Sequence, residues 1–240
     1  MKKLKIIIVT IIQIGVLQLL PAQTFTNNGA TIYLNTGSSL TIKGDFLNLD
    51  DGNIGNASDL YISGNWINNA TSGNLLAGTV GTVHFNGVLP QYIDGSAKTF
   101  FGNLHIQNDV RLNTETSIIM SLLLDGSSLN LLNKNLIMML NSPINGACAS
   151  GYIITEGAGR LIQEVGNNDV LFPVGTSSSY IPLTINNSGS TDSYKLRVFD
   201  DVLDGGLSGT TIPEINNCVN MTWEIEENNP GGSNLSVSVE

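Results

Sequence analysis

The sequence predicts an all-β chain in which an irregular parallel β-helix leads into an antiparallel β-sandwich module. The first observation is a repeat: Leu40-Thr-Ile-Lys-Gly-Asp-Phe-Leu-Asn48 and Leu60-Tyr-Ile-Ser-Gly-Asn-Trp-Ile-Asn68 carry apolar, Gly and Asn positions in register twenty residues apart. A unit of this size cannot bury its apolar face alone, so copies must stack. The second is the continuation of strand-period alternation at spacings of roughly 18 to 23 residues up to about Asn145. The third is a change of character after Pro143, where seven short strand signals are separated by Gly, Asn and Ser loops.

The chain begins with the basic stretch Met1-Lys-Lys-Leu-Lys5, an apolar run from Ile6 to Leu20 and the small-residue end Pro21-Ala-Gln23. This reads as a signal peptide over 1–23, since the run is short of the roughly 20 residues that a bilayer core requires. The solenoid follows over 24–145. Its strands are marked by Ile32/Leu34, Leu40/Ile42, Leu60/Ile62, Val83/Phe85, Leu104/Ile106, Leu122/Leu124, Leu129/Leu131 and Met138/Leu140. Gly44 and Gly64 read as equivalent corners. Phe46 and Trp66 read as interior mates, which assigns Trp66 to the core rather than to an exposed sugar-stacking face.

The turn-rich Asn141-Ser-Pro-Ile-Asn-Gly146 divides this region from a sandwich module over 147–240. Strands are expected at 152–155, 160–165, 170–172, 181–185, 194–199, 221–225 and 235–239. The last, Leu235-Ser-Val-Ser-Val239, is still alternating when the sequence stops at Glu240, so the module reads as truncated.

Composition narrows the partners. The chain carries 20 acidic against 10 basic residues, and three of the basic ones lie in the leader. With no basic stripe, neither nucleic acid nor an anionic membrane surface is an expected partner, and no membrane insertion is expected once the leader is cleaved. The 29 Asn residues suit turns in which a short polar side chain bonds neighbouring backbone.

The residues capable of chemistry are scattered. No Gly-x-Ser-x-Gly elbow or phosphate loop occurs, and the solenoid acids form no ladder, because Asp45 is matched by Asn65 one period on. His84 and His105 have no second ligand at a zinc-type interval. A catalytic site is therefore not expected, and no cofactor is. Calcium is the one ion whose chemistry fits, through the hard oxygens of Asp200, Asp201 and Asp204 in one loop, although the ligand order of an EF-hand is missing. Tyr33, Tyr61 and Tyr92 are candidates for stacking against a glycan ring. Cys148 and Cys218 are the only cysteines and, after export, could close a disulfide or stay as two buried thiols.

Several short motifs in order carry a resemblance. They are Thr82-Val-His-Phe-Asn-Gly87, Phe101-Gly-Asn-Leu-His-Ile106, Gly151-Tyr-Ile-Ile-Thr155, Gly159-Arg-Leu161, Phe172-Pro-Val-Gly175, Tyr180-Ile-Pro182, Tyr194-Lys-Leu-Arg-Val198 and Val219-Asn-Met-Thr-Trp223. Together they resemble exported Bacteroidetes surface proteins in which a β-repeat region leads into an FPVG-containing module and then a type IX secretion sorting domain. No sorting domain is present in this sequence. The resemblance implies a secreted or cell-surface protein that meets an export machinery, is adhesin-like, and offers no agreed catalytic residues to carry over.

The expected function is therefore non-catalytic: a structural or adhesion protein that presents a polar solenoid surface to a glycan or to another surface protein. The alternatives from other classes are a polysaccharide-degrading β-helix enzyme and a glycan-binding module attached to an enzyme encoded downstream.

Overall fold

The computed structural model describes residues 23–71, 75–139, 141–212 and 219–239. The segment up to residue 22, where a signal peptide is expected, lies outside the described residues. No helix occurs among the described residues, and so none is long and apolar enough to cross a membrane.

The chain winds as a parallel solenoid of about seven turns. Its first coil is β1 (Gln23–Asn28), β2 (Thr31–Leu34) and β3 (Ser39–Ile42); its second is β4 (Gly44–Asp50), β5 (Asn53–Asn56) and β6 (Asp59–Ile62). In the third, β7 (Trp66–Ala70) is followed by β8 (Leu75–Phe85), a single strand that runs through both of the later positions. The same fusion gives β9 (Gln91–Asp94) with β10 (Thr99–Ile106), and β11 (Val110–Leu112) with β12 (Thr116–Leu124). The sixth coil has β13 (Leu129–Asn130), β14 (Leu136–Met138) and β15 (Ile144–Asn145), and the seventh has β16 (Ile153–Ile154) and β17 (Leu161–Val165).

Three ladders result. One runs β1-β4-β7-β9-β11-β13-β16 and continues into β19 (Val174–Gly175). The second runs β2-β5-β8-β10-β12-β14-β17, and the third stacks β3 and β6 on the far half of β8, then β10, β12 and β15. The second and third are halves of one sheet that shifts register between Phe101 and Asn103.

The repeat detected in the sequence is a pairing register. Leu40, Ile42, Phe46 and Asn48 stand opposite Leu60, Ile62, Trp66 and Asn68. Strand alternation sends every second residue inward. Inside lie the columns Leu60-Val83-Leu104-Leu122 and Ile62-Phe85-Ile106-Leu124, all buried. Trp66 is fully buried between Phe46 and Phe101, with ring centroids 4.4 and 5.1 Å apart. Its indole Nε1 donates to Thr99 Oγ1 at 3.1 Å, so the one polar atom of that ring is satisfied.

The corner glycines have a steric cause. A Cβ on Gly44 would lie 1.7 Å from the carbonyl oxygen of Gln23, and one on Gly64 would lie 2.3 Å from the carbonyl carbon of Gly44. Successive coils thus approach through backbone alone, which only Gly allows.

The interior is not wholly apolar. Asn27, Asn48 and Asn68 form a buried column: Asn27 Nδ2 donates to Asn48 Oδ1 at 3.0 Å, and Asn48 Nδ2 donates to Asn68 Oδ1 at 3.1 Å. An amide carries both donor and acceptor, so identical residues stacked in register satisfy one another without water. Other Asx side chains bond the backbone of the next coil. Asp45 Oδ1 accepts from Asn65 N at 2.6 Å, Asn65 Oδ1 from Tyr92 N at 2.9 Å, and Asp109 Oδ1 from Ser128 N at 2.9 Å. This inter-coil bonding gives the abundance of Asn a structural role beyond turns.

Parallel pairing does not end at residue 145, since β13 pairs β16, β14 pairs β17 and β16 pairs β19. The antiparallel strands grow from this last coil. β21 (Asp192–Phe199) pairs antiparallel with β17 and with β22 (Thr222–Glu227). A separate antiparallel sheet is formed by β18 (Val170–Phe172), β20 (Leu183–Asn187) and β23 (Leu235–Val239). Phe172, Leu183, Ile185, Tyr194, Leu196 and Val198 are buried and continue the solenoid core.

Candidate functional site

The third ladder carries on its outer side the row Thr41-Tyr61-His84-His105-Leu123. Each of these residues is the middle of an apolar–x–apolar strand triplet, such as Val83-His84-Phe85 and Leu104-His105-Ile106. The flanking pair turns inward, so the centre must turn outward. Stacking then brings side chains of successive coils together. The Tyr61 ring lies nearly parallel to the His84 imidazole, centroids 4.4 Å apart, and the two imidazoles meet edge to face at 5.1 Å. A second outward row, Asp59-Thr82-Asn103-Ser121, runs beside it.

His84 and His105 are joined through their Nδ1 atoms, 3.0 Å apart. On its far side, His84 Nε2 contacts Asp59 Oδ1 at 3.0 Å, while His105 Nε2 faces Asp125 Oδ2 at 3.5 Å. The imidazoles are largely covered, at 14 and 15% side-chain exposure, whereas both carboxylates reach solvent. Burial, and then the neighbouring His84, push the His105 pKa below its usual value, with Asp125 acting in the opposite direction. The histidines that lack partners at zinc-type spacings are therefore each other's partner, one coil apart. A search at the repeat interval, where both occupy the same position of the strand, finds the pair.

No family model, curated protein or solved structure matches this chain. The site therefore stands on its own geometry.

The three tyrosines singled out from the sequence do not form one row. Tyr33 lies on the second ladder, 75% exposed, with its ring over Gly55. Tyr61 is on the third ladder, and Tyr92 is on the first, where Arg111 Nη1 donates to its hydroxyl at 3.4 Å. Only Tyr61 adjoins the histidine pair.

In the acidic loop each carboxylate takes a nearby donor. Asp200 Oδ2 accepts from Ser178 Oγ at 3.2 Å, Asp201 Oδ2 from Thr211 Oγ1 at 3.1 Å, and Asp204 from the N and Oγ1 of Thr210 at 3.1 and 3.0 Å. Among the described residues no three His, Cys, Asp or Glu side chains group to hold a metal ion, and these aspartates act as loop acceptors. Cys148 is exposed with Sγ 3.1 Å from Ser150 Oγ, and Cys218 lies outside the described residues.

A groove of about 340 Å³ lies among residues of β15, β17 and β18. Met138, Ile144 and Leu171 line it together with Asn141, Glu164 and Asp169. Both acids are already bonded, Glu164 to Asn141 and Asp169 to Asn186.

Proposed function

We propose that this chain is a non-catalytic, exported surface protein that uses the outer face of its solenoid for attachment to a glycan or to another surface protein. The observation that carries the reading is the continuous outward face of the third ladder, where Tyr61, His84 and His105 stack beside Asp59, Thr82, Asn103 and Ser121. Regular coils hold such side chains at a fixed repeat of about 4.8 Å, a rigid and shallow surface suited to an extended partner. The basic and apolar start of the sequence supports export, and the ordered motifs that resemble Bacteroidetes surface proteins support display at the cell surface.

Glycan-array binding of the full chain tests the reading, with Tyr61→Ala as the probe of this face. Retained glycan with no new reducing ends or unsaturated products is the expected result. Product formation would replace this reading with that of a polysaccharide-degrading enzyme.

A further inference from the structure

We propose that His84 and His105 form a two-imidazole site for a divalent transition cation such as Zn²⁺ on the outer face of the third ladder. An imidazole with a carboxylate at Nε2 keeps its proton there, which leaves Nδ1 as a lone pair in the neutral ring. Asp59 stands 3.0 Å from Nε2 of His84, and Asp125 stands 3.5 Å from Nε2 of His105. His84 therefore presents an Nδ1 lone pair, and an Nδ1–H on His105 meets it as a neutral hydrogen bond across 3.0 Å. A divalent cation can take the place of that one proton, which then moves to Nε2 of His105, where Asp125 stands as an acceptor.

A divalent ion bound at about 2.0–2.1 Å from each nitrogen needs the two donors roughly 2.9–3.4 Å apart for angles between square and tetrahedral. The observed separation falls in that range. The outer contacts fit as well, because imidazoles that bind metals commonly give their other N–H to a carboxylate, which sets the tautomer and raises basicity. Asp59 already holds that place at His84, and Asp125 faces the corresponding nitrogen of His105 from 3.5 Å. His105 Nε2 is buried without a hydrogen bond, so it is open to receive the displaced proton. With two protein donors, the remaining coordination positions fall to water or to a donor from outside.

The test is Zn²⁺ titration of the full chain, followed by calorimetry and by long-range ¹H–¹⁵N spectra of the imidazoles. The chain has only two histidines, so the spectra hold two ring systems. One Zn²⁺ per chain, with the coordination shift at Nδ1 of both rings, is expected. His84→Ala and His105→Ala should each weaken binding at least tenfold, and Asp59→Asn about tenfold with unchanged stoichiometry. All three changes are on the outer face, and circular dichroism checks that the fold persists. Zn²⁺ binding that survives both histidine substitutions, a shift at Nε2, or ring spectra unchanged by Zn²⁺ would each overturn the site.

Discussion

In the coils up to Asn145, the partner of a polar side chain is commonly the equivalent residue of the next coil. Asn48 bonds Asn27 and Asn68, 21 and 20 residues away. In the antiparallel strands the reach is longer: Arg160 bonds Glu224 across 64 residues, and Asn234 N donates to Asn187 across 47. The chemistry differs too. The coils use neutral amides in columns, whereas the last strands use an ionic cluster in which Glu224 accepts from both Arg160 and Arg197 while Lys195 pairs with Glu226 at 2.8 Å. Like amides can stack without limit because each donates one way and accepts the other, but like charges cannot. An ionic cluster therefore suits the place where stacking stops. The chain reverses there at β17–β21, so antiparallel strands cover what would be an open parallel edge.

Substitutions can break this comparison at several depths. The largest effect is expected for Trp66→Ala, which removes the ring packed between Phe46 and Phe101 and should cost about 3–5 kcal/mol in urea unfolding. Trp223→Ala, at a half-buried position of the antiparallel region, should cost clearly less. Equal losses would mean that the two regions share one core without distinction.

Asn48→Ala is expected to cost about 1–3 kcal/mol, because it removes one hydrogen bond each from Asn27, Asn68 and the Gly52 carbonyl where water does not reach. If the loss is negligible, the amide column is a by-product of stacking rather than a support for it. Glu224→Gln should cost about 1–2 kcal/mol, a figure already reduced for the partial exposure of both arginines. That loss should shrink in high salt, whereas the Asn48→Ala loss should not.

The smallest effect concerns acid. Burial favours the protonated form of Asp192, but hydrogen bonds from the Asn229 backbone and side chain and from Ser193 outweigh it and hold the carboxyl below its usual pKa. At Glu224, bonds from Arg160 and Arg197 likewise overcome burial. A depressed carboxylate contributes its stability above the unfolded pKa of about 4 and loses it as pH falls through the folded value. Urea midpoints should therefore drop as pH falls below about 4, and Asp192→Asn should flatten that drop. A variant with the same acid slope as the unmodified chain would remove Asp192 from the account.

Much of the first region was legible in advance. Alternation marked which residues turn inward, and the matched segments identified Phe46 with Trp66 and Gly44 with Gly64, as the pairing bears out. The interior expected from the apolar residues is present, but residue type does not mark the buried amides as core, because Asn ordinarily signals a turn. The candidate site was hardly legible. Ligand spacings suited to helices and loops do not pair His84 with His105, and residue type alone groups three tyrosines that lie on three ladders.

By itself the sequence determined the all-β class, the stacked coils and the inward or outward sense of each strand residue, since alternation is a property of the local backbone. Only the tertiary structure decided which outward residues share a row. Coil length varies: the column runs from residue 46 to 66, then to 93, then to 112. Neighbours across coils are chosen by hydrogen-bonded register, to which the intervening loops adapt, so the meeting of the two histidines was settled by stacking rather than by any local pattern.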